Sequence, residues 1–201
     1  NIARPAVGKH QGAFENDGHG LIMLAVYNAW KRLPDGQRDI WLRKRWEDVK
    51  LAAEWILWQF ENPEISGATE NVLLTDSECV YNNGFGLSYG SSLYADFPCM
   101  KGLEVFAKMA DTIGEKKSAV RWRKRAEKMR IGMEKHFIVG GKEKGKPKVW
   151  KLWDSGWAHQ SANLAPTAFL SDTEGFGADS GNPDWKPINE ATYQRLMDKW
   201  A

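Results

Sequence analysis

Residues 39 to 60 read Asp-Ile-Trp-Leu-Arg-Lys-Arg-Trp-Glu-Asp-Val-Lys-Leu-Ala-Ala-Glu-Trp-Ile-Leu-Trp-Gln-Phe, and the apolar positions in this run decide the fold class. Leu42, Trp46, Val49, Ala53, Ile56 and Phe60 follow one another at steps of three or four, the spacing that brings side chains to one face of an α-helix. Asp39 reads as the N-cap of that helix. Upstream, Pro34-Asp35-Gly36 reads as a turn. Before the turn, Ile22, Val26, Ala29 and Leu33 keep helical spacing and predict a helix over 18–33, capped by Asn16 or Asp17. Two antiparallel helices joined by so short a turn make a hairpin.

The pattern recurs over residues 95 to 137. Cys99, Leu103, Phe106, Ala110 and Ile113 form one stripe, Gly114 supplies a helix end, and Ala119, Trp122, Ala126, Met129, Met133 and Phe137 form the next. Between the hairpins, residues 62 to 94 show no sustained period. They carry Tyr81, Phe85, Tyr89 and Tyr94, residues that disordered segments tend to lack, and so read as an ordered, functional loop. Lys142 to Lys148 reads as the glycine-bearing tip of a short β-hairpin leading into Val149-Trp150-Lys151-Leu152-Trp153. Residues 160 to 170 and Asn189 to Trp200 predict further short helices.

Hairpins alternating with long loops predict an all-α fold in which the loops gather at one end of a toroid and build a cleft. Residues 1–201 read as a single helical-hairpin domain. Two hairpins already occupy residues 18 to 137, and six at that rate need about 350 residues, so the expectation is part of a larger ring. The remainder of the toroid or a second chain would complete it; the other reading is a smaller helical domain.

Composition narrows the function classes. Lys and Arg total 28 against 26 Asp and Glu, and 42% of the 201 residues are hydrophobic, ordinary for a chain that buries a core. The basic runs Arg43-Lys44-Arg45 and Arg121 to Arg125 lie inside amphipathic patterns beside acidic residues, so a nucleic-acid partner is not expected. No apolar stretch approaches the roughly 20 residues that span a bilayer, so neither is a membrane partner. Cys79 and Cys99 read either as a loop disulfide or as two buried thiols. With His19 and His159 they match no metal-ligand spacing, and no glycine-rich phosphate loop is present, so no metal and no cofactor is expected. Eleven tryptophans exceed what packing requires. Trp41, Trp46, Trp55, Trp58 and Trp122 lie in helical patterns, whereas Trp150, Trp153, Trp157 and Trp185 lie in irregular segments, and this second set draws the functional interest.

The run Asn16-Asp17-Gly18-His19-Gly20-Leu21 resembles the Asp-Gly segment that opens an inner helix and lines the sugar site in glucoamylase-like six-hairpin glycosidases with an (α/α)6 toroid. Residues 46 to 56, Trp-Glu-Asp-Val-Lys-Leu-Ala-Ala-Glu-Trp-Ile, resemble the outer helix of that family. Met109-Ala110-Asp111-Thr112-Ile113-Gly114 and Trp122-Arg123-Lys124-Arg125-Ala126 resemble its next pair. The resemblance covers about residues 16 to 137. It implies a carbohydrate substrate, a secreted or periplasmic setting, and a general acid on the loop between these hairpins, which offers Glu70 and Glu78. The Trp-Glu-Glu wording of glucoamylases is absent.

Glycoside hydrolysis needs one protonated carboxyl to assist the departing oxygen and one ionised carboxylate to activate water or attack carbon. Glu78 is the candidate acid, with Asp76 beside it to raise its pKa and Tyr81 and Asn82 to hold sugar hydroxyls. The other reading is a surface turn whose carboxylates cap backbone amides. By the resemblance, Asp17 binds hydroxyls or serves as the second carboxylate; otherwise it is an N-cap. His19 either donates to the same sugar or is structural. In Trp153-Asp154-Ser155-Gly156-Trp157-Ala158-His159, Trp153 and Trp157 suit stacking on pyranose faces and His159 suits a polar contact, unless the loop packs on the ring exterior. Two competing functions stand beside the hydrolase: a polysaccharide lyase on the same toroid, drawing on Tyr81, Tyr89 and His159, and a non-catalytic glycan-binding or structural helical protein.

Overall fold

The computed structural model describes residues 16–73, 75–81, 87–90, 93–142, 145–150 and 185–200. Along them run α1 (Asn16–Lys31), α2 (Asp35–Glu61), α3 (Pro63–Ser66), β1 (Thr75–Tyr81), β2 (Leu87–Gly90), α4 (Leu93–Thr112), α5 (Lys116–Phe137), β3 (Ile138–Gly140), β4 (Lys148–Trp150) and α6 (Trp185–Trp200). The fold is all-α, and the β structure among the described residues is the antiparallel hairpins β1–β2 and β3–β4.

α4 is the central element. Leu93, Phe97, Cys99, Met100, Leu103, Val105, Phe106, Ala107, Met109 and Ala110 are all buried, so the apolar face wraps most of the helix, leaving Lys108, Asp111 and Thr112 exposed on the remainder. So wide an apolar face must be enclosed by neighbours, and α1 and α5 pack against it. Its contact with α1 is close. A Cβ on Gly20 would lie 2.4 Å from both the Cys99 nitrogen and the Pro98 carbonyl carbon, so only hydrogen fits there. One turn on, Met23 meets Gly102, and one turn back the Cys99 Sγ donates to the Asn16 carbonyl at 2.9 Å. Residue numbers rise together along this seam, so α1 and α4 run parallel.

The two hairpins are antiparallel. Asn16 at the start of α1 bonds Gln59 near the end of α2. Phe106 of α4 meets Trp122 of α5, and that indole in turn meets Trp46 of α2, joining the hairpins. At one end the connections are tight. Arg38 ties off α1 by donating from Nε to the Leu33 carbonyl at 2.7 Å and from Nη2 to the Lys31 carbonyl at 2.8 Å. Gly114, at φ +85°, lets the Glu115 amide reach back to the Ala110 carbonyl at 2.8 Å and stop α4. At the other end the connections are long.

Several sequence expectations are corrected in detail. α2 begins at Asp35 behind Pro34, so Asp39 is helical and not the cap. Asn16, the first described residue of α1, is helical, and its side-chain amide pairs across to Gln59. The buried stripe of α1 is Gly20, Met23, Leu24, Tyr27 and Trp30; Ile22 is exposed, because the seam with α4 is chosen by the small Gly20 and not by the aliphatic count. The described residues between 62 and 94 form α3, a tight bridge from Thr69 to Val72, and β1–β2. The hairpin around Lys142 to Lys148 is present, Ile138 facing Trp150 and Gly140 facing Lys148. Helix α6 starts at Trp185, before Asn189. Residues 160 to 170 lie outside the described residues.

The seam gives a paired expectation. Gly20→Ala should lower stability by about 1–3 kcal/mol, since the added methyl meets backbone that cannot turn aside. Gly18→Ala, two residues away with nothing within 4 Å of its Cβ position, should raise stability by up to about 1 kcal/mol through helix propensity. Urea unfolding of the two variants measures both, and equal shifts would contradict the packing described.

Candidate functional site

Because α1 and α4 are parallel while α2 and α5 run against them, the starts of α1, α4 and α6 and the ends of α2 and α5 lie at one end of the molecule. The β1–β2 hairpin leads into α4 there, and β3–β4 follows α5 there. Of the residues proposed from sequence, Asp17 and His19 on α1 and Asp76, Glu78 and Tyr81 on β1 therefore gather at this end by topology.

Asp17 and His19 lie in the first turn of α1, both half-buried. The His19 ring stacks on Trp55 at 5.9 Å between centroids, and Trp55 stacks on Trp58 at 5.0 Å with the two indoles 8° from parallel. Both tryptophans are only half-buried, so the last turns of α2 carry a ladder of flat rings beside the start of α1. Sequence reading assigned these two indoles to a helical pattern and gave them no part in the site.

Asp76, Glu78 and Tyr81 lie on β1. Thr75 faces Gly90 and Asp76 faces Tyr89, but the next pairing is Tyr81 with Leu87. Residues 77 to 80 thus bulge opposite Ser88, and Glu78 sits within the irregular stretch instead of on a plain turn. Bulges of this kind bend a strand and re-aim its side chains, and they recur next to active sites. Asn82, Trp153, Trp157 and His159 lie outside the described residues. The ends of the segment that holds the last three are fixed: Trp150 and Trp185 meet edge to face at 5.2 Å, and Trp185 meets Phe97 of α4. Trp150 Nε1 donates to Asn189 Oδ1 at 2.6 Å, and Trp185 Nε1 to Glu134 Oε1 at 2.9 Å. Both indoles are buried, so these two of the four tryptophans singled out from sequence are core anchors.

Glu70, the other carboxylate between the hairpins, is excluded as an acid. It sits at φ +47° and pairs with Lys135 Nζ at 2.7 Å and His136 Nε2 at 3.1 Å. The hydrogen bond and charge of Lys135 hold its carboxyl below the usual range, the opposite of what proton donation at neutral pH requires. Nor is Cys99 a nucleophile. It is free and buried, and burial, together with the negative charge of Asp96, pushes its thiol well above the ordinary value.

Sequence reading missed Asp96. It lies in the first turn of α4 and is fully buried; Oδ1 accepts the Leu73 amide at 2.9 Å, and Oδ2 has no partner among the described residues. Burial raises its carboxyl well above the usual range and so favours the neutral acid. The signal was present: Asp96 stands three residues before Cys99, on the backward extension of the apolar stripe of α4. Through Leu73 it fixes the chain two residues before β1 begins, which makes it a positioning residue for the strand that carries Glu78.

A cleft of about 590 Å³ opens between α5, β3–β4 and α6, lined by Arg130, Glu134, Ile138, Lys148, Trp185 and Ile188. Glu134 Oε1 accepts from both Arg130 and Trp185 and so braces its wall. Among the described residues, no three His, Cys, Asp or Glu side chains converge as a metal set. Compared with family models, with curated proteins and with solved structures, the chain finds no match.

The buried acid has a consequence for stability. An unfolded Asp titrates near about 3.9, whereas folded Asp96 keeps its proton to higher pH. As pH rises above that value the unfolded chain loses a proton that the folded chain retains, so this contribution to stability falls by up to about 1.4 kcal/mol per pH unit until the folded carboxyl ionises. Asp96→Asn keeps the acceptor for Leu73 and cannot ionise. Denaturant unfolding between pH 4 and 8 should show a downward slope in the parent that the variant lacks, and superimposable profiles would refute the assignment.

Proposed function

We propose that this chain forms part of an (α/α) toroid glycoside hydrolase acting on an oligo- or polysaccharide. The observation that carries the reading is the parallel α1–α4 pair, whose starts share one end with the β1–β2 hairpin, while the short turns lie at the other. Sequential hairpins with parallel inner helices are the unit from which such a ring is built, and a cleft at the long-loop end is where its ligand would bind.

In this reading Glu78, on the bulged stretch of β1, is the general acid. Asp17 is the ionised partner: the start of a helix carries partial positive charge, which favours an anion there. His19, Trp55 and Trp58 supply stacked rings suited to the C–H faces of a sugar. Asp76, Tyr81 and Asn82 follow or precede Glu78 closely enough to contact the same ring, and Trp153, Trp157 and His159 belong to the segment anchored at this end by Trp150 and Trp185. Hydrolysis would proceed by protonation of the glycosidic oxygen as the bond to the anomeric carbon breaks, with the second carboxylate activating water or attacking that carbon.

Release of reducing ends from a panel of α- and β-linked oligosaccharides tests this on the full chain. Glu78→Gln should reduce turnover by about 10²–10⁴ while sugar binding persists, and Trp58→Ala should weaken binding with the fold intact. Turnover unchanged in Glu78→Gln, or a parent chain that neither cleaves nor binds any member of the panel, would sink the proposal.

A further inference from the structure

Charge is unevenly distributed along this chain. The whole sequence carries a formal net charge of +2, yet α5 alone holds nine Lys or Arg residues against Glu127 and Glu134. Four of the nine are neutralised locally: Arg121 by Glu54 and Glu61, Arg123 by Asp111, Arg130 by Glu127 and Glu134, and Lys135 by Glu70. Lys124, Arg125 and Lys128 make no ion pair among the described residues. With Arg121 they stand at steps of three, one and three, one face of the helix, and they line a groove of about 200 Å³ against Leu57 and Glu61 of α2.

Arg125 is the least ordinary of the three. It is half-buried, its guanidinium lies 4.2 Å from the centre of the Phe60 ring, and Nη1 donates to the Asn71 side-chain oxygen at 3.3 Å. A cation withdrawn from water is ordinarily compensated by a carboxylate. Here its direct contacts are a ring face and one amide, while Glu61, whose charge acts on it from a distance, is bonded to Arg121. Burial lowers the Arg125 pKa from its ordinary value, and the guanidinium still remains charged at any physiological pH. Its planar fork is therefore fixed in place with donors to spare, flanked by two mobile ammonium groups.

We propose that the α2–α5 groove is a receptor for a single oxyanion group, a sulfate or phosphate, clamped by Arg125 and closed by Lys124 and Lys128. This does not rest on the hydrolase reading. A nucleic acid is disfavoured, because stacking platforms for bases are wanting among the described residues: no ring lines the groove, and the neighbouring Phe60 is covered by Arg125. The oxyanion can arrive as the free ion or as a sulfate ester on a glycan; both offer the same oxygens to the fork.

Amide NMR of the full chain, titrated with sodium sulfate against sodium chloride at equal ionic strength, tests the proposal. Sulfate should shift Leu57, Lys124, Arg125 and Lys128 saturably. Arg125→Lys, which keeps the charge and loses the fork, should weaken sulfate about tenfold, and so should Lys124→Ala with Lys128→Ala. Lys116→Ala with Lys117→Ala removes the same charge from the same helix away from the groove and should change affinity less than twofold. Equal weakening by both double variants, or identical shifts with chloride, would overturn the receptor in favour of a diffuse field. A sulfated oligosaccharide displacing inorganic sulfate at lower concentration assigns the source to a glycan; a need for higher concentration assigns it to the free ion.

Discussion

The contact on which the rest of the structure depends is the approach of Gly20 to the backbone at Pro98 and Cys99. Parallel helices cannot be joined by a tight turn; the chain must return before it can run in the same direction again. Setting α1 parallel to α4 therefore forces α2 to carry the chain back, so that α4 begins at the end where α1 begins. The turns after α1 and α4 then share one end, and the connections after α2 and α5 share the other. Pro98 contributes by lacking an amide hydrogen, which leaves its turn of α4 without one helical bond just where α1 comes closest.

The seam is specified by polar groups as well as by shape. Asn16 and Gln59 exchange two hydrogen bonds, at 2.7 and 3.1 Å, and neither residue is exposed. Ser66 donates to the Gln59 carbonyl at 2.6 Å, so the end of α2, the whole of α3 and the start of α1 are tied into one buried network. Buried polar groups tolerate few arrangements, because each lost partner leaves a desolvated dipole. An apolar seam slides more easily. Here a slip of α1 by one turn would strand Asn16, Gln59 and the Asn16 carbonyl together, and that sets the register at the end where Asp17 and His19 sit.

Three helices were legible from sequence because their buried faces are simple. The stripes predicted for α4 and α5 are buried throughout, as are Leu42, Trp46, Ala53 and Ile56 of α2. α1 was misread for a physical reason: its core face includes a glycine, and periodicity counts aliphatic bulk, so Ile22 outweighed Gly20. The stretch from 62 to 94 shows no period because its elements are too short to express one and β1 is interrupted by a bulge. Asp96 went unnoticed since its importance lies in a bond to Leu73, 23 residues earlier, that no local pattern announces. Long-range juxtapositions of this kind, including the His19, Trp55 and Trp58 ladder, belong to tertiary structure. Sequence could supply the right elements without their partners.

The same logic explains how irregular backbone can hold a defined position. β1 is the least regular described element at the candidate end, but its approach is fixed by Asp96, and α4 resumes at Leu93, which is buried. Beyond α5, Trp150 and Trp185 lock the two ends of the next connection to each other and to Phe97. Both connections are anchored on α4, by residues four and five of that one helix. Reactive groups held on connections need a rigid base within bonding distance, since an ångström of play at a reacting atom can cost orders of magnitude in rate. A helix buried over most of its circumference is the stiffest base this architecture offers. Its first turn joins the two connections, so a disturbance at Asp96 or Phe97 would be felt in both at once.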